Sequence, residues 1–498
     1  MSAKESAAAQ PAAKATEATG DFMESVFKAT KSRDVDSQAR TRSLVEAYAK
    51  ELMSPGMQVG KDVLRTINLR IAEIDRLMSA QLNAIMHHAD FQKLEASWRG
   101  LHYLVHKSKT GETLKIRVLN ASKKDLLNDL ENAIEFDESA LFQKVYEEEY
   151  GIFGGAPYGT LIGDYEFGIN QQDMALIERV SQVAAAAHAP FIAAADPTLF
   201  GLESFSELGE PRDLASIFER KEAGYVKWRS FRKSPDSRYV GLVLPHTLGR
   251  LPYDPTDNPV AEFNFEEDVD GTDHSKYLWS NAAYAFGSRI TDSFSECGWL
   301  ATIRGVEGGG LVEGLPTHTF KTDDGDIGQK CPTEVAITDR REKELADLGF
   351  ISLVHCKGTD YAAFFAAQST QRPELFSTDE ANANARLSTM LQYILCVSRF
   401  AHYLKAMARD KIGAFMERDE CERWLNEWIN LYVLANPESS GPEGKAKRPL
   451  KAANITVEEV KGKPGCYQAV AHLRPHFQLE ELGVSLRLVA ELPQPQGK

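Results

Sequence analysis

The sequence predicts a multidomain protein that combines an α/β region with an α+β region. The chain has 498 residues, which is enough for about two to four domains. Strand and helix patterns alternate between residues 114 and 244, as in a sheet covered by helices. Two long helix patterns after residue 383 lead into three short strand patterns, which is typical of an α+β unit.

The N-terminal segment predicts a disordered lead followed by a short amphipathic helix. Residues 1–20 contain too few large apolar side chains to form a core. Within residues 21–31, apolar side chains occupy one helical face: Phe22, Met23, Val26 and Phe27. So short a helix is marginal in isolation and orders when it docks. Two interpretations stay open, docking on a partner and permanent packing on the same chain.

A longer helix pattern follows between residues 61 and 86. Apolar residues with three-and-four spacing form a seam that suits a partner helix, from the same chain or another subunit: Leu64, Ile67, Ile71, Ile74, Met78 and Ile85. The next helix pattern contains Trp98, Leu101 and Val105. His102 and His106 lie four residues apart but have no acidic or cysteine ligand beside them, so no metal site is predicted.

The α/β region predicts a sheet with helices on it. We expect strands at residues 114–119, 158–162, 190–195 and 239–244, and a helix at residues 172–187. Residues 237–373 are rich in turns. The glycine-rich stretch Gly305–Gly310 lacks the Lys-Ser or Lys-Thr of a phosphate loop, so it predicts turns with positive φ. The acidic stretch Glu266–Asp273 lacks the EF-hand glycine and predicts a solvated loop.

The last third predicts helices at residues 383–410 and 418–433, a loop at residues 436–447 and a small terminal sheet at residues 454–493. Period-two alternation places one set of apolar side chains on a shared face: Ile455, Val457, Val484, Leu486 and Leu488. A small sheet at a terminus exposes strand edges that invite strand addition from a neighbour. An ordinary terminal meander is the alternative.

Composition and missing motifs exclude several functions. The formal charge of −15 argues against nucleic-acid binding. No apolar run is long enough to insert in a membrane and no secretory signal is present, so we expect a cytoplasmic protein. The six cysteines form no Cys-x-x-Cys pair. No catalytic motif or cofactor motif occurs, so we predict no enzyme, with a spatially assembled α/β active site as the alternative.

The chain contains several long and unusual strings: FGGAPYG at 153–159, IGDYEF at 162–167, IRGVEGGGLVEGLP at 303–316, RFAHYLK at 399–405 and LRPHFQLE at 473–480. With these strings the chain resembles the large subunit of the contractile sheath of bacterial type VI secretion systems, the TssC/VipB family. The resemblance covers nearly the whole chain after residue 20. It implies a C-terminal domain like that of contractile phage-tail sheaths, with a small strand-exchanged sheet, and an N-terminal helical arm.

The resemblance also implies partners. Family members pair with the small sheath subunit TssB (VipA), stack with copies of themselves around a tube of Hcp rings on a baseplate, and contract. The resemblance makes the seam at Leu64–Met78 a candidate for packing with TssB, and it makes the terminal sheet a site of strand exchange. The N-terminal helix resembles the segment that the AAA+ ATPase ClpV captures, with contacts expected at Phe22, Met23, Val26, Phe27, Thr30 and Lys31.

We therefore expect five regions. Residues 1–20 form the disordered lead and residues 21–60 an arm with the ClpV-type helix. Residues 61–225 form a helical and α/β region that packs with the small subunit. Residues 226–382 form a turn-rich outer sheath domain, and residues 383–498 form the inner, phage-sheath-like domain.

Overall fold

The computed structural model describes residues 24, 26–30, 34–52, 63–261, 263–322, 325–414, 416–434, 436, 440–462, 466–476 and 478. The chain divides into two compact units. One comprises Met1–Leu82 with Pro259–Phe265, and the other comprises Asn83–Asn258 with Glu266–Lys498. The boundaries of the five expected regions remain predictions.

The described helices are α1 Val35–Leu52, α2 Val63–Met86, α3 Ala89–Lys107, α4 Lys123–Asn132, α5 Ala140–Phe142 with its π-helical continuation Gln143–Gly151, α6 Gln171–Ala186, α7 Leu214–Phe218, α8 Ala223–Lys233, α9 Ala283–Cys297, α10 Asp339–Asp347, α11 Asp379–Ser388, α12 Leu391–Asp410, α13 Arg418–Asn430 and α14 Pro442–Lys447. The described strands are β1 Leu161–Phe167, β2 Phe191–Ala195, β3 Val240–Leu244, β4 Thr247–Leu248, β5 Trp279–Ser280, β6 Leu311–Val312, β7 Thr319–Lys321, β8 Ile327–Gln329, β9 Phe350–His355, β10 Ala362–Phe364, β11 Leu450–Glu459 and β12 Tyr467–Pro475.

A six-stranded sheet in the order β1-β2-β3-β9-β10-β6 organises the second unit. The first four strands are parallel, and β10 and β6 are antiparallel additions. The interior strands β2 and β3 are buried throughout because both of their faces are covered. On β3, Leu242 packs into one core and Val243 packs into the other. The mixed α/β architecture predicted from the sequence is confirmed.

A third core forms the C-terminal part of this unit. It joins α12 and α13 to β11 and includes Trp299, Phe400, Leu425 and Ile455. The rings of Trp299 and Phe400 stack with centroids 4.1 Å apart. Helices followed by a small sheet with its own core are the α+β arrangement that the sequence predicted.

Three local predictions are wrong. Residues 114–119 form no strand, and Val118 and Leu119 are exposed there, because an alternating pattern becomes a strand only where another strand pairs with it. The helix predicted at 383–410 is two helices, since the backbone around Met390 leaves the helix to pair with Gln368. The loop predicted at 436–447 contains α14.

The predictions for the glycine-rich stretch Gly305–Gly310 and for the acidic stretch Glu266–Asp273 had different outcomes. Gly305 and Gly309 have φ of 73° and 87°, as predicted, and a Cβ on Gly309 would lie 2.3 Å from the carbonyl oxygen of Thr302. The acidic stretch is not wholly solvated. Glu267 is buried and forms an ion pair with Arg250 at 2.6 Å. A carboxylate so deeply buried needs a charged partner, which the local sequence pattern did not reveal.

Candidate assembly surfaces

The terminal ribbon of β11 and β12 is the first candidate surface. The two strands pair antiparallel from Leu450 opposite Pro475 to Glu459 opposite Tyr467. Ile455 and Val457 are 0% and 3% exposed, so the predicted alternation does place them in a core. The other predicted members of this face, Val484, Leu486 and Leu488, lie outside the described residues.

Side chains of α13 close the outer edge of β11. The N–H of Ile455 donates to Asn426 Oδ1 at 2.9 Å, and Asn426 Nδ2 donates back to the carbonyl of Ile455 at 2.6 Å. The N–H of Val457 donates to Glu422 Oε2 at 2.8 Å. At the start of the strand, the N–H of Leu434 donates to the Leu450 carbonyl at 3.0 Å. This edge therefore has internal partners where a neighbouring strand would otherwise bind.

The outer edge of β12 differs. In an antiparallel pair the backbone groups of alternate residues face the partner strand. The N–H of Val460 donates to the Cys466 carbonyl at 2.8 Å, which fixes this register. The N–H and C=O groups that face away from β11 belong to Tyr467, Ala469, Ala471 and Leu473. Within the part of the chain that the structure describes, no group bonds to them. This edge has the geometry that accepts an added strand.

The seam predicted on α2 remains exposed. Ile71 and Ile74 are 50% and 42% exposed, and Ile67 and Met78 are similarly open. The spacing places these residues on one helical face. The side chain of Leu64 lies outside the described residues. Exposed apolar residues in a continuous row are characteristic of an interaction surface.

Helix α3 carries a second exposed apolar row, which sequence reasoning missed. Trp98 is 66% exposed, and Phe91, Leu94 and Val105 are also exposed. The opposite face of α3 packs through Gly100, where a Cβ would lie 2.3 Å from the ring of Tyr284. The spacing of Trp98 and Val105 predicted a helix but could not show that this apolar face points outward.

The N-terminal helix is described in part. Val26 and Phe27 are half-buried in a helical turn, and the Thr30 hydroxyl donates to the Val26 carbonyl at 2.8 Å. Phe22, Met23 and Lys31 lie outside the described residues. The structure therefore describes only half of the segment that the sequence singles out.

A cluster of buried titratable groups lies beyond the carboxyl end of β3. His246 lies between two carboxylates, with Nδ1 2.6 Å from Glu334 and Nε2 3.0 Å from Glu166. Burial alone lowers the pKa of His246, but these hydrogen bonds and charges outweigh it and raise the pKa to about 10. The Ser204 hydroxyl donates to Glu334 at 2.7 Å. These groups hold one another in a charged network, an arrangement that suits a structural role.

Two family comparisons match most of the chain. Residues 68–371 match the family described as the EvpB/VC_A0108 tail sheath N-terminal domain, VipB. Residues 380–492 match the EvpB/VC_A0108 tail sheath gpW/gp25-like domain. A curated protein of Pseudomonas aeruginosa named type VI secretion system sheath protein TssC1 is 50% identical over 480 residues, which cover 96% of each chain.

The chain belongs to the TssC/VipB tail-sheath family. The first matched region contains the six-stranded sheet, one of its two cores and most of the other. The second contains α11 to β12 and most of the third core, so the ribbon belongs to the gpW/gp25-like part of the TssC/VipB fold. The family is one of structural sheath proteins.

A solved structure also resembles the chain at low similarity. It is a chain of the anti-feeding prophage baseplate, with a TM-score of 0.34 and 9% identity over 64% of this chain and 66% of that chain. Among the helices that the structure describes, none is sufficiently long and apolar to cross a membrane.

Proposed function

We propose that this type VI secretion sheath protein is the large subunit of a contractile sheath. In this proposal it pairs with the small subunit TssB (VipA), polymerises with copies of itself around a tube of Hcp rings on a baseplate, and acts in the cytoplasm. The observation that carries the proposal is that, among the described residues, the outer edge of β11 has bonding partners and the outer edge of β12 has none. Family membership and the exposed α2 seam support it.

Strand addition at β12 would join subunits into a continuous polymer. A strand placed along the outer edge would bond the outward-facing backbone groups of Tyr467, Ala469, Ala471 and Leu473, which allows about eight main-chain hydrogen bonds. Because side chains of α13 occupy the outer edge of β11, a strand from another subunit would add to the ribbon along β12. The N-terminal arm of a neighbouring large subunit and the C-terminal strand of a small subunit are the proposed donors.

Packing on α2 would join the two kinds of subunit. The exposed row from Ile67 to Met78 needs an apolar helix to cover it, and the charged Arg70 and Glu73 beside it pair with each other at 2.7 Å. We assign a helix of TssB to this row. A packed helix would remove the apolar side chains from water, which stabilises the heterodimer by roughly 25 cal/mol per Å² of apolar surface buried.

Contraction in this proposal is a switch between two packings of the same subunits. The subunit itself needs no bound nucleotide, because the energy is stored in the extended packing. ATP enters at recycling, when ClpV captures the helix around Phe27. The half-buried state of Val26 and Phe27 is compatible with a helix that docks on a partner.

The test is a single proline in β12. Ala471→Pro removes an N–H that faces outward and leaves the ladder to β11 intact, since proline is tolerated at an edge position. We expect co-expression of the chain with TssB to give long tubules in negative-stain micrographs, and Ala471→Pro to abolish them. Ala471→Ser keeps the N–H and is the matched control.

Two results would count against the proposal. One is the formation of small discrete particles by the unaltered pair. The other is assembly of normal tubules by Ala471→Pro with an intact fold by circular dichroism.

A further inference from the structure

A cavity that shares no lining residue with the ribbon has the features of a binding site. It encloses about 300 Å³ between α7, α8, the turn after α10 and the segment that contains Arg372. Phe218 and Leu348 form apolar parts of its wall, and Arg229 and Arg232 belong to α8. None of the assembly surfaces described above includes these residues.

Arg232 is the deepest charged group of the cavity. It is only 7% exposed, and its Nε donates to the Thr370 carbonyl at 2.8 Å while one terminal nitrogen lies 3.4 Å from the Asp347 carbonyl. Both acceptors are neutral, and none of the ion pairs found in the described ranges involves Arg232. A guanidinium has more N–H donors than these two contacts use.

The backbone leaves room for this guanidinium. Gly349 has φ of 86°, and a Cβ at this position would lie 2.9 Å from a terminal nitrogen of Arg232. Burial lowers the pKa of Arg232 to about 10, and the charge of Arg372 adds to this effect. The fold therefore holds two like charges near each other at a site where burial disfavours charge.

Trp228, a residue that lines the cavity, carries a second buried donor. Trp228 is fully buried and lines the cavity, and its indole Nε1–H has no hydrogen-bond partner in the described part of the protein. Trp228 and Arg232 are four residues apart on α8, so they lie on the same helical face. A buried N–H without an acceptor is costly, and a ligand oxygen would relieve that cost.

No carboxylate of the described residues forms an ion pair with the three arginines that line the cavity, Arg229, Arg232 and Arg372. Glu219 lines it at an exposed position. Asp347 also lines it but pairs with Arg386 at 3.2 Å, and both of these side chains are more than half exposed. The buried part of the wall thus offers N–H donors and positive charge, a combination that binds oxyanions.

We propose that this cavity binds a small tetrahedral oxyanion of the phosphate class, either free or as the terminal phosphoryl group of a small molecule. Its oxygens accept from Arg232 and from the Trp228 indole, and Arg372 contributes charge at the exposed side. The bound anion ties α8 to the turn that precedes β9. Binding therefore stabilises the folded chain by an amount that grows with the logarithm of the ligand concentration once this exceeds the dissociation constant.

The experiment titrates the full-length chain in phosphate-free buffer at constant ionic strength. The probes are inorganic phosphate, pyrophosphate and AMP, followed by calorimetry and by thermal unfolding. We expect saturable binding and a rise in the unfolding temperature. Similar affinity for all three probes would assign free phosphate, and tighter binding of pyrophosphate or AMP would assign a phosphoryl group of a larger molecule.

Two variants and one control decide the site. Trp228→Phe removes the indole donor, and Arg372→Gln removes an exposed charge that the fold does not need. Each should weaken binding about tenfold or more. Arg340→Gln also removes one positive charge, but from an exposed position on α10 outside the cavity. The affinity of this control for phosphate should stay within about twofold of that of the unaltered chain. If Trp228→Phe fails to fold, the phosphate affinity of Arg372→Gln, compared with that of Arg340→Gln, tests the proposal by itself.

Three results would overturn the proposal: a response that never saturates, equal affinity in Arg372→Gln and Arg340→Gln, or binding of acetate as tight as that of phosphate. The first two indicate a general ionic effect. The third indicates that the cavity binds carboxylates, for example an acidic side chain of a partner protein.

Discussion

Removing the amide that closes the edge of β11 should weaken the C-terminal core. Asn426 bonds both backbone groups of Ile455, at 2.9 and 2.6 Å. Ile455 is fully buried, so water cannot replace these bonds. In Asn426→Ala both groups lose their partner at once, while the rest of α13 keeps its sequence.

The magnitude follows from the two orphaned groups. A buried N–H or C=O without a partner costs about 1–3 kcal/mol, which gives about 2–6 kcal/mol for the pair. Alanine improves helix propensity at this position by up to about 0.7 kcal/mol. We therefore expect a net loss of about 1–5 kcal/mol in the unfolding free energy of the C-terminal core.

Hydrogen–deuterium exchange with mass spectrometry measures this loss where it occurs. The amides of Ile455 and Val457 should exchange faster in Asn426→Ala by the factor that corresponds to the lost free energy. Arg423→Ala, at an exposed position of the same helix, is the control and should change stability by less than about 0.5 kcal/mol. The reasoning would be refuted if the exchange rate of the Ile455 amide in Asn426→Ala were less than about tenfold above its rate in the unaltered chain.

Three further predictions concern charge and assembly. The raised pKa of His246 stabilises the fold below its unfolded value of about 6.5, and this contribution is lost as pH rises toward about 10. The unfolding free energy measured with denaturant should therefore decrease as the pH rises from about 6.5 to about 10. An equally steep decrease in His246→Gln would contradict this prediction. The double variant Ile71→Glu and Ile74→Glu should keep its fold, since both side chains are exposed, yet lose co-purification with TssB. Leu69→Glu, on the same helix outside the seam, should retain TssB, and equal loss in both would reject the seam. Phe27→Asp should abolish ClpV pull-down and leave tubules unchanged in micrographs, and undiminished capture would reject the ClpV assignment.

Much of the fold followed from the sequence because the signals are local. The continuous apolar run at Phe191–Ala195 predicted a strand buried on both faces, and β2 is such a strand. The glycines at 305 and 309 predicted positive φ. The strand predicted at residues 114–119 failed because pairing depends on a partner strand, which no local pattern encodes.

By itself, the sequence determined the family, the α/β and α+β organisation and the apolar seam of α2. Tertiary structure alone decided which edge of the ribbon finds partners among the described residues, because alternation in a strand encodes side-chain direction and does not encode which edge is paired. Asn426 reaches Ile455 across 29 residues only because α13 packs beside β11. Arg232 and Arg372 likewise meet through folding, since charges far apart in sequence share a cavity only when the helices and turns that carry them pack together.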